Sequence, residues 1–220
     1  MSDRLTRTLL ILTFVTGLLD AVAFLALGHV FVAMQTGNVV FLGVAIADAG
    51  AVALAAPLIS LAAFFAGASF AALGIRPRDP RHPRGLLVAI AAEGALLGLA
   101  AAIALLAEVR LDSGLAYLLV AIAAFAMGVR NTVARRVGSP DIATTVLNLT
   151  LTALTSHTPF GFASTGELER RGGAVLAVLA GALTGALLLK ASLFLALAAA
   201  LACVLCAGLG LRGGIGSQTK

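Results

Sequence analysis

Residues 6–27 read TRTLLILTFVTGLLDAVAFLAL. The twenty positions 8–27 carry one charge, Asp20, and are otherwise rich in Leu, Ala, Val and Phe. An apolar run of roughly 18 or more residues is long enough to cross a bilayer as a helix. Leu and Ala are also strong helix formers, so the run predicts a spanning helix rather than a strand. Arg4 and Arg7 ahead of it give the start the look of a signal peptide. The run is too long for such a segment, contains Asp20 and lacks a clear small-residue cleavage site, so it reads as a retained first helix.

The same pattern recurs along the chain. Apolar stretches long enough to span occupy residues 6–27, 52–75, 86–107, 114–133, 173–189 and 191–211. Two shorter ones, 34–47 and 142–154, are polar at their starts. Across all 220 residues 60% are hydrophobic, 11% are charged, and the mean hydropathy is +1.07. A soluble domain carries about 25% charged residues, so this surface cannot face water throughout. A membrane β-barrel needs short alternating strands, which these contiguous runs do not provide. The fold class is therefore all-α: a polytopic membrane bundle of about six spanning helices and two half-helices in one membrane domain.

The basic residues set the expected topology. Arg4 and Arg7 precede the first segment, and Arg76, Arg78, Arg81 and Arg84 fill the second connection. Arg135 and Arg136 follow the fourth segment, Arg170 and Arg171 precede the fifth, and Arg212 and Lys220 follow the sixth. The remaining connections hold only Arg110 and Lys190. Cation-rich regions stay cytoplasmic, and six crossings with both termini inside satisfy all of them. Neither short stretch can then cross, so each is expected to be re-entrant. The net charge of +5 is thereby assigned to topology, and no nucleic-acid partner is expected.

An internal repeat is also legible. Gly17-Leu18-Leu19-Asp20-Ala21 resembles Gly128-Val129-Arg130-Asn131-Thr132, with Asn131 standing 111 positions after Asp20. Met34-Gln35-Thr36-Gly37-Asn38 lies opposite Val146-Leu147-Asn148-Leu149-Thr150 at an offset of 112, and Ala66-Gly67-Ala68 opposite Ala180-Gly181-Ala182 at 114. Each half, about 6–108 and 113–212, would hold three crossings and a half-helix. Three is odd, so the second half would be inverted. Inverted repeats with broken helices are a recurrent transporter plan.

These motifs resemble the YoaK family of bacterial inner-membrane proteins of unknown function. The resemblance rests on Gly17–Ala21, Phe31, Thr36-Gly37-Asn38, Gly128–Asn131 and the Thr-rich stretch around Asn148. In that family a Gln commonly stands where this chain has Arg130, and Thr-Gly-Thr where it has Asn148-Leu149-Thr150. The resemblance implies an inner-membrane location and a multi-pass helical fold; it implies no substrate.

The candidate binding residues are Asp20, Thr36, Gly37, Asn38, Arg130, Asn131 and Asn148, with Gln35 and Glu93 secondary. A charge inside a spanning helix costs roughly 2.5–3.5 kcal/mol on insertion scales, so such residues tend to face the bundle interior and serve a path. Asp20 fits that role; the alternative is a carboxylate hydrogen-bonded to a neighbouring helix or capping the first half-helix. Thr36 or Asn38 can cap that helix, Gly37 permits a close approach, and free N–H groups there attract anions. Glu93 either pairs with Arg130 or lines a path. The Ala63/Gly67/Ala71 and Ala177/Gly181/Gly185 ladders are read as close helix contacts. His29, His82 and His157 lack ligand spacing, Cys203-x-x-Cys206 lies in an apolar run, and no nucleophile or phosphate-loop motif appears. No catalytic set, metal or cofactor is expected. The leading reading is a small secondary transporter or permease for a small solute or ion, with the lipid bilayer as its surroundings. The alternative is a non-transporting scaffold, sensor or accessory subunit. Whether the chain is a monomer or a homodimer is open at this stage.

Overall fold

The computed structural model describes residues 3–48, 53–74, 84–137 and 165–215. Among them lie seven α-helices and no strand. They are α1 (Asp3–Ala23), α2 (Gln35–Ala47), α3 (Ala55–Gly74), α4 (Arg84–Leu106), α5 (Gly114–Val137), α6 (Thr165–Leu189) and α7 (Leu193–Ile215). Six are long and apolar enough to cross a membrane; α2, at 13 residues, is not. Thirteen residues rise about 20 Å, against a hydrocarbon core of about 30 Å. The second short stretch, 142–154, lies outside the described residues.

The distribution of side chains is that of a protein with lipid outside. The buried polar residues include Thr16, Asp20, Asn38, Glu93, Arg130 and Asn131, whereas Phe65, Phe70, Leu106 and Leu179 stand exposed. Polar groups deep in such a bundle must find partners within the protein. The hydroxyls of Thr8, Thr13 and Thr16 do so by donating to the carbonyls of Arg4, Leu9 and Leu12 one turn back.

Helix ends follow local chemistry. α1 runs into a π-helical turn, Phe24–Gly28, and stops at Gly28 and His29, whose φ values are +140° and 52°. Gly28 needs its lack of a side chain twice over: its backbone is left-handed, and a Cβ would press on Ala56 and Asp112. Ser113 accepts from the N–H of Ala116 to start α5, and Ser192 accepts from Leu195 to start α7. α5 continues through Val137, one turn past the expected end at 133. Arg135 and Arg136 in that turn favour its extension, because cations suit a helix C-terminus.

The helices pack in close pairs. α1 lies on α6 and α7, α5 lies on α3 and α4, and α4 lies on α7. Contacts fix their directions. Gly28 nears Tyr117 while Thr16 meets Arg130, so α1 and α5 run antiparallel. Leu10, Phe14 and Leu18 approach Gly173, Gly181 and Gly185 in order, so α1 and α6 run parallel. Phe64 meets Gly128 and Ala72 meets Arg136, so α3 and α5 are likewise parallel. Gly94 faces Val204 and Gly208 faces Ile90, making α4 and α7 antiparallel. The six long helices thus alternate in direction, and Arg4 stands beside Gly213 at the end where the chain begins and α7 ends.

Glycine makes the tightest crossings. A Cβ on Gly17 would strike the Val178 carbonyl, and one on Gly181 the Phe14 carbonyl. On the other pair, Gly67 lies against the Phe125 carbonyl and Gly128 against that of Phe64. Backbone cannot yield as a flexible side chain can. Gly181→Ala is therefore expected to lower the unfolding free energy in mixed micelles by about 1–3 kcal/mol. Gly210→Ala, which meets nothing within 4 Å, should stay within about 0.5 kcal/mol of wild type.

Candidate functional site

Two polar clusters lie inside the bundle, joined by one face of α1. The first surrounds the segment between the π-turn and α2. Asp20 Oδ1 accepts from the backbone N–H groups of Val32 and Ala33, both at 2.8 Å, and Oδ2 accepts from Met34 at 3.2 Å. Asp20 lies eight residues before Gly28, roughly 12 Å along the helix. The chain therefore turns back after α1, and the start of α2 is held at Asp20's depth.

Asn38 completes the same knot. Its Oδ1 accepts from Phe31 N–H at 2.9 Å, and its Nδ2 donates to the Phe31 carbonyl at 2.6 Å. Nδ2 also lies 2.8 Å from Gln35 Oε1 and 3.1 Å from Ser60 Oγ. Ser60 donates to the Phe31 carbonyl, and Gln35 Nε2 donates to the Val32 carbonyl and to Ser60. Gly37 makes room for Phe31, whose ring would collide with a Cβ there. Phe31 in turn stacks between Phe24 and Phe41, at centroid distances of 5.6 and 5.8 Å. Thr36 is exposed and stands apart from this network. No side chain of α2 caps its own start. The capping function anticipated for Thr36 or Asn38 is performed across helices by Asp20, on the N–H groups just ahead of α2.

The second cluster is deeper. Arg130 on α5 donates from Nη1 to Glu93 Oε1 on α4 at 2.8 Å, and both side chains are fully buried. Its Nη2 donates to Thr16 Oγ1 on α1 and lies against Met127 Sδ. Glu93 is nine residues into α4, about 14 Å from its start, which is half the thickness of a hydrocarbon core. Glu93 Oε2 and Arg130 Nε have no hydrogen-bond partner among the described residues. Asn131 is buried beside Arg130 on α5. Thr16 and Asp20 are four residues apart and share a face of α1, so one helix carries contacts to both clusters.

The structure thus gathers Asp20, Gln35, Gly37 and Asn38 in one knot and Glu93 with Arg130 in the other. Asn148 lies outside the described residues. Ser60 and Thr16 escaped the sequence reading. Each carried a signal: Ser60 is a polar residue in the apolar run of α3, and Thr16 stands one turn before Asp20. An apolar groove of about 360 Å³ opens beside the outer knot, lined by Gly17, Asp20, Phe24, Phe31, Val178 and Ala182. Asp20 shows it only an edge, being 4% exposed. No group of three or more His, Cys, Asp or Glu suited to hold a metal occurs among the described residues.

If the outer knot holds residues 31–34, Asp20→Ala strands three N–H groups, two of them buried and one partly so. At about 1–3 kcal/mol for each buried group left unsatisfied, partly relieved by relaxation, it should cost roughly 2–4 kcal/mol. Limited proteolysis should then cut near residues 29–34, where wild type resists. Asp20→Asn keeps one acceptor oxygen and should be cut more slowly than Asp20→Ala.

Comparison with known proteins agrees with this architecture. A family model described as a protein of unknown function (DUF1275) matches residues 8–210. The chain is 33% identical over 151 residues to the UPF0700 transmembrane protein YoaK of Bacillus subtilis (strain 168). That match covers 67% of this chain and 65% of the relative, just under two thirds of its length. No solved structure matches the chain.

Proposed function

Since the chain belongs to the DUF1275 family, which includes transmembrane proteins of unknown function, we propose that it is a small secondary transporter or permease built as an inverted repeat. The observation that carries this reading is the Glu93–Arg130 pair, fully buried among six apolar helices. Ionisable residues in spanning segments are costly and concentrate on substrate, ion and proton paths. Arg130 Nε and Glu93 Oε2 leave hydrogen-bonding capacity unused at mid-depth, where a small solute, an ion or a proton would be handled.

The helix contacts support the repeat. Gly17 on Val178 corresponds to Gly128 on Phe64 if α1 maps to α5 at an offset of 111 and α3 to α6 at 114. Gly181 on Phe14 and Gly67 on Phe125 obey the same two offsets. Gly94 on Val204 and Gly208 on Ile90 interchange at 114, so the α4–α7 contact is its own mate. α1 and α5 are antiparallel, as inversion requires. Arg130 then reaches Thr16 and Met127, which are equivalent positions of the two halves, and so sits on the axis between them. In such folds the site lies where the halves meet, and transport proceeds by rocking one against the other. By the positive-inside rule both termini are cytoplasmic, and the membrane is the bacterial inner (cytoplasmic) membrane.

A second reading, a non-transporting scaffold, sensor or accessory subunit, is favoured by one observation. The polar atoms of Asp20 and Asn38 are engaged in holding residues 31–34, and the described residues that line the groove beside Asp20 are otherwise apolar or glycine. In both readings the chain carries no enzymatic role. Proteoliposomes challenged with radiolabelled amino acids, sugars and monovalent ions, with a trapped pH-sensitive dye to follow protons, separate the two. A transporter gives flux above empty liposomes for one class, and Glu93→Gln and Arg130→Gln each cut it by more than about tenfold, a loss of about 1.4 kcal/mol in barrier terms. Flux of nothing in the panel favours the scaffold. Flux indifferent to both substitutions removes the pair from the path, and flux indifferent to Asp20→Asn removes Asp20 from any coupling.

A further inference from the structure

We propose that the groove between α4 and α7 binds one anionic phospholipid, an acyl chain lying along the groove and the phosphate resting on Arg212 and Arg84. This inference stands whether or not the chain transports. The groove has a volume of about 450 Å³, within the roughly 300–1,000 Å³ typical of ligand sites. Leu87, Val88 and Ala91 form one wall, and Leu205 and Leu209 the other. Gly208 opens its floor, where a Cβ would come within 3.0 Å of Ile90 Cγ2. The walls face away from the bundle: Val88 is 54% exposed and Leu209 66%. In a membrane such a surface is met by hydrocarbon. Among the described residues, every one that lines it is apolar or glycine except Arg212.

That exception sits at one end, and it has company. Gly208 faces Ile90, so Arg212, one turn further along α7, lies level with the first turn of the antiparallel α4. That turn opens on Arg84, which is exposed, as Arg212 is. Arg4, also exposed, stands at the same end: its Nη1 lies 3.9 Å from where a Gly213 Cβ would be. Arg212 lines the groove itself, and Arg84 and Arg4 stand on two further helices at the same end of the bundle. Guanidinium pairs with phosphate in a bidentate fork, which selects a phosphate-bearing partner over a merely apolar one. Basic pockets between spanning helices recognise anionic headgroups on these grounds. A second copy of the chain is the poorer occupant. A two-fold interface repeats the same patch on both partners, which would bring this arginine cluster close to its own image.

The test is native mass spectrometry of the full chain released from detergent with added dioleoyl phosphatidylglycerol or dioleoyl phosphatidylcholine, whose acyl chains are identical. Each arginine near an anionic headgroup contributes about fivefold in affinity. Wild type should therefore retain phosphatidylglycerol about 25-fold better than phosphatidylcholine, and Arg212→Gln should reduce that preference to about fivefold. Ala91→Phe fills the groove from an exposed position and leaves the charges in place. It should lower retention of both lipids and keep their ratio. Equal retention of the two lipids by wild type would overturn the proposal, as would a preference unmoved by Arg212→Gln and by Arg84→Gln. Displacement of phosphatidylglycerol by millimolar glycerol 3-phosphate would assign the arginines to a soluble phosphate instead. A lipid-free dimer dissociated by Ala91→Phe would assign the groove to a second copy.

Discussion

The pairing of Glu93 with Arg130 is the constraint around which the rest of the bundle is arranged. Two charges removed from water lose several kcal/mol of hydration apiece, and their mutual attraction offsets this only in good geometry. The 2.8 Å contact fixes α4 against α5, and the Thr16 hydroxyl brings in α1. Each of these helices also packs on another: α1 on α6, α5 on α3, and α4 on α7. Moving any one of the first three displaces a charge in an apolar surrounding. The interior therefore has few alternative packings, and those that exist must carry the ion pair with them.

The outer knot solves a different problem. A chain that turns back inside a membrane exposes backbone N–H and C=O groups that lipid cannot satisfy. Residues 31–34 meet this with side chains: Asp20 takes three N–H groups, while Asn38 takes the N–H and the carbonyl of Phe31. Ser60 ties the arrangement to α3. Asp20 is thus an acceptor for backbone, and its charge is met by oriented N–H dipoles. A transport role would accordingly rest on Arg130 and Glu93, which keep unused polar atoms, and not on Asp20.

Much of the fold was legible because lipid imposes length and composition on a helix. All six spans were readable from apolar runs, and the stretch at 34–47 stood out by its shortness, its polar start and the arginine-rich regions that a crossing there would have placed on opposite sides. Segment ends were less legible, since they depend on caps such as Ser113 and Ser192 and on how far Arg135 and Arg136 prolong α5. The Glu93–Arg130 pair was readable as a costly charge seeking its opposite. The partners of Asp20 were not, because they are backbone groups of Val32, Ala33 and Met34, and any residue but proline offers the same N–H. Ser60 went unread for a related reason: its importance comes from the depth at which α3 meets Phe31. Thr36 drew attention through its place in a motif, yet its side chain faces outward; the motif's structural content lies in Gly37 and Asn38.

The central claim is that Glu93 and Arg130 act as one unit. A double-mutant cycle on unfolding free energy in mixed micelles tests it, with Glu93→Gln, Arg130→Gln and the double substitution. Breaking a buried pair from one side costs about 3–5 kcal/mol, because it leaves an uncompensated charge. The account predicts single variants in that range and a double variant no worse than either, giving a coupling of at least about 3 kcal/mol. Additive losses in the double variant would contradict it.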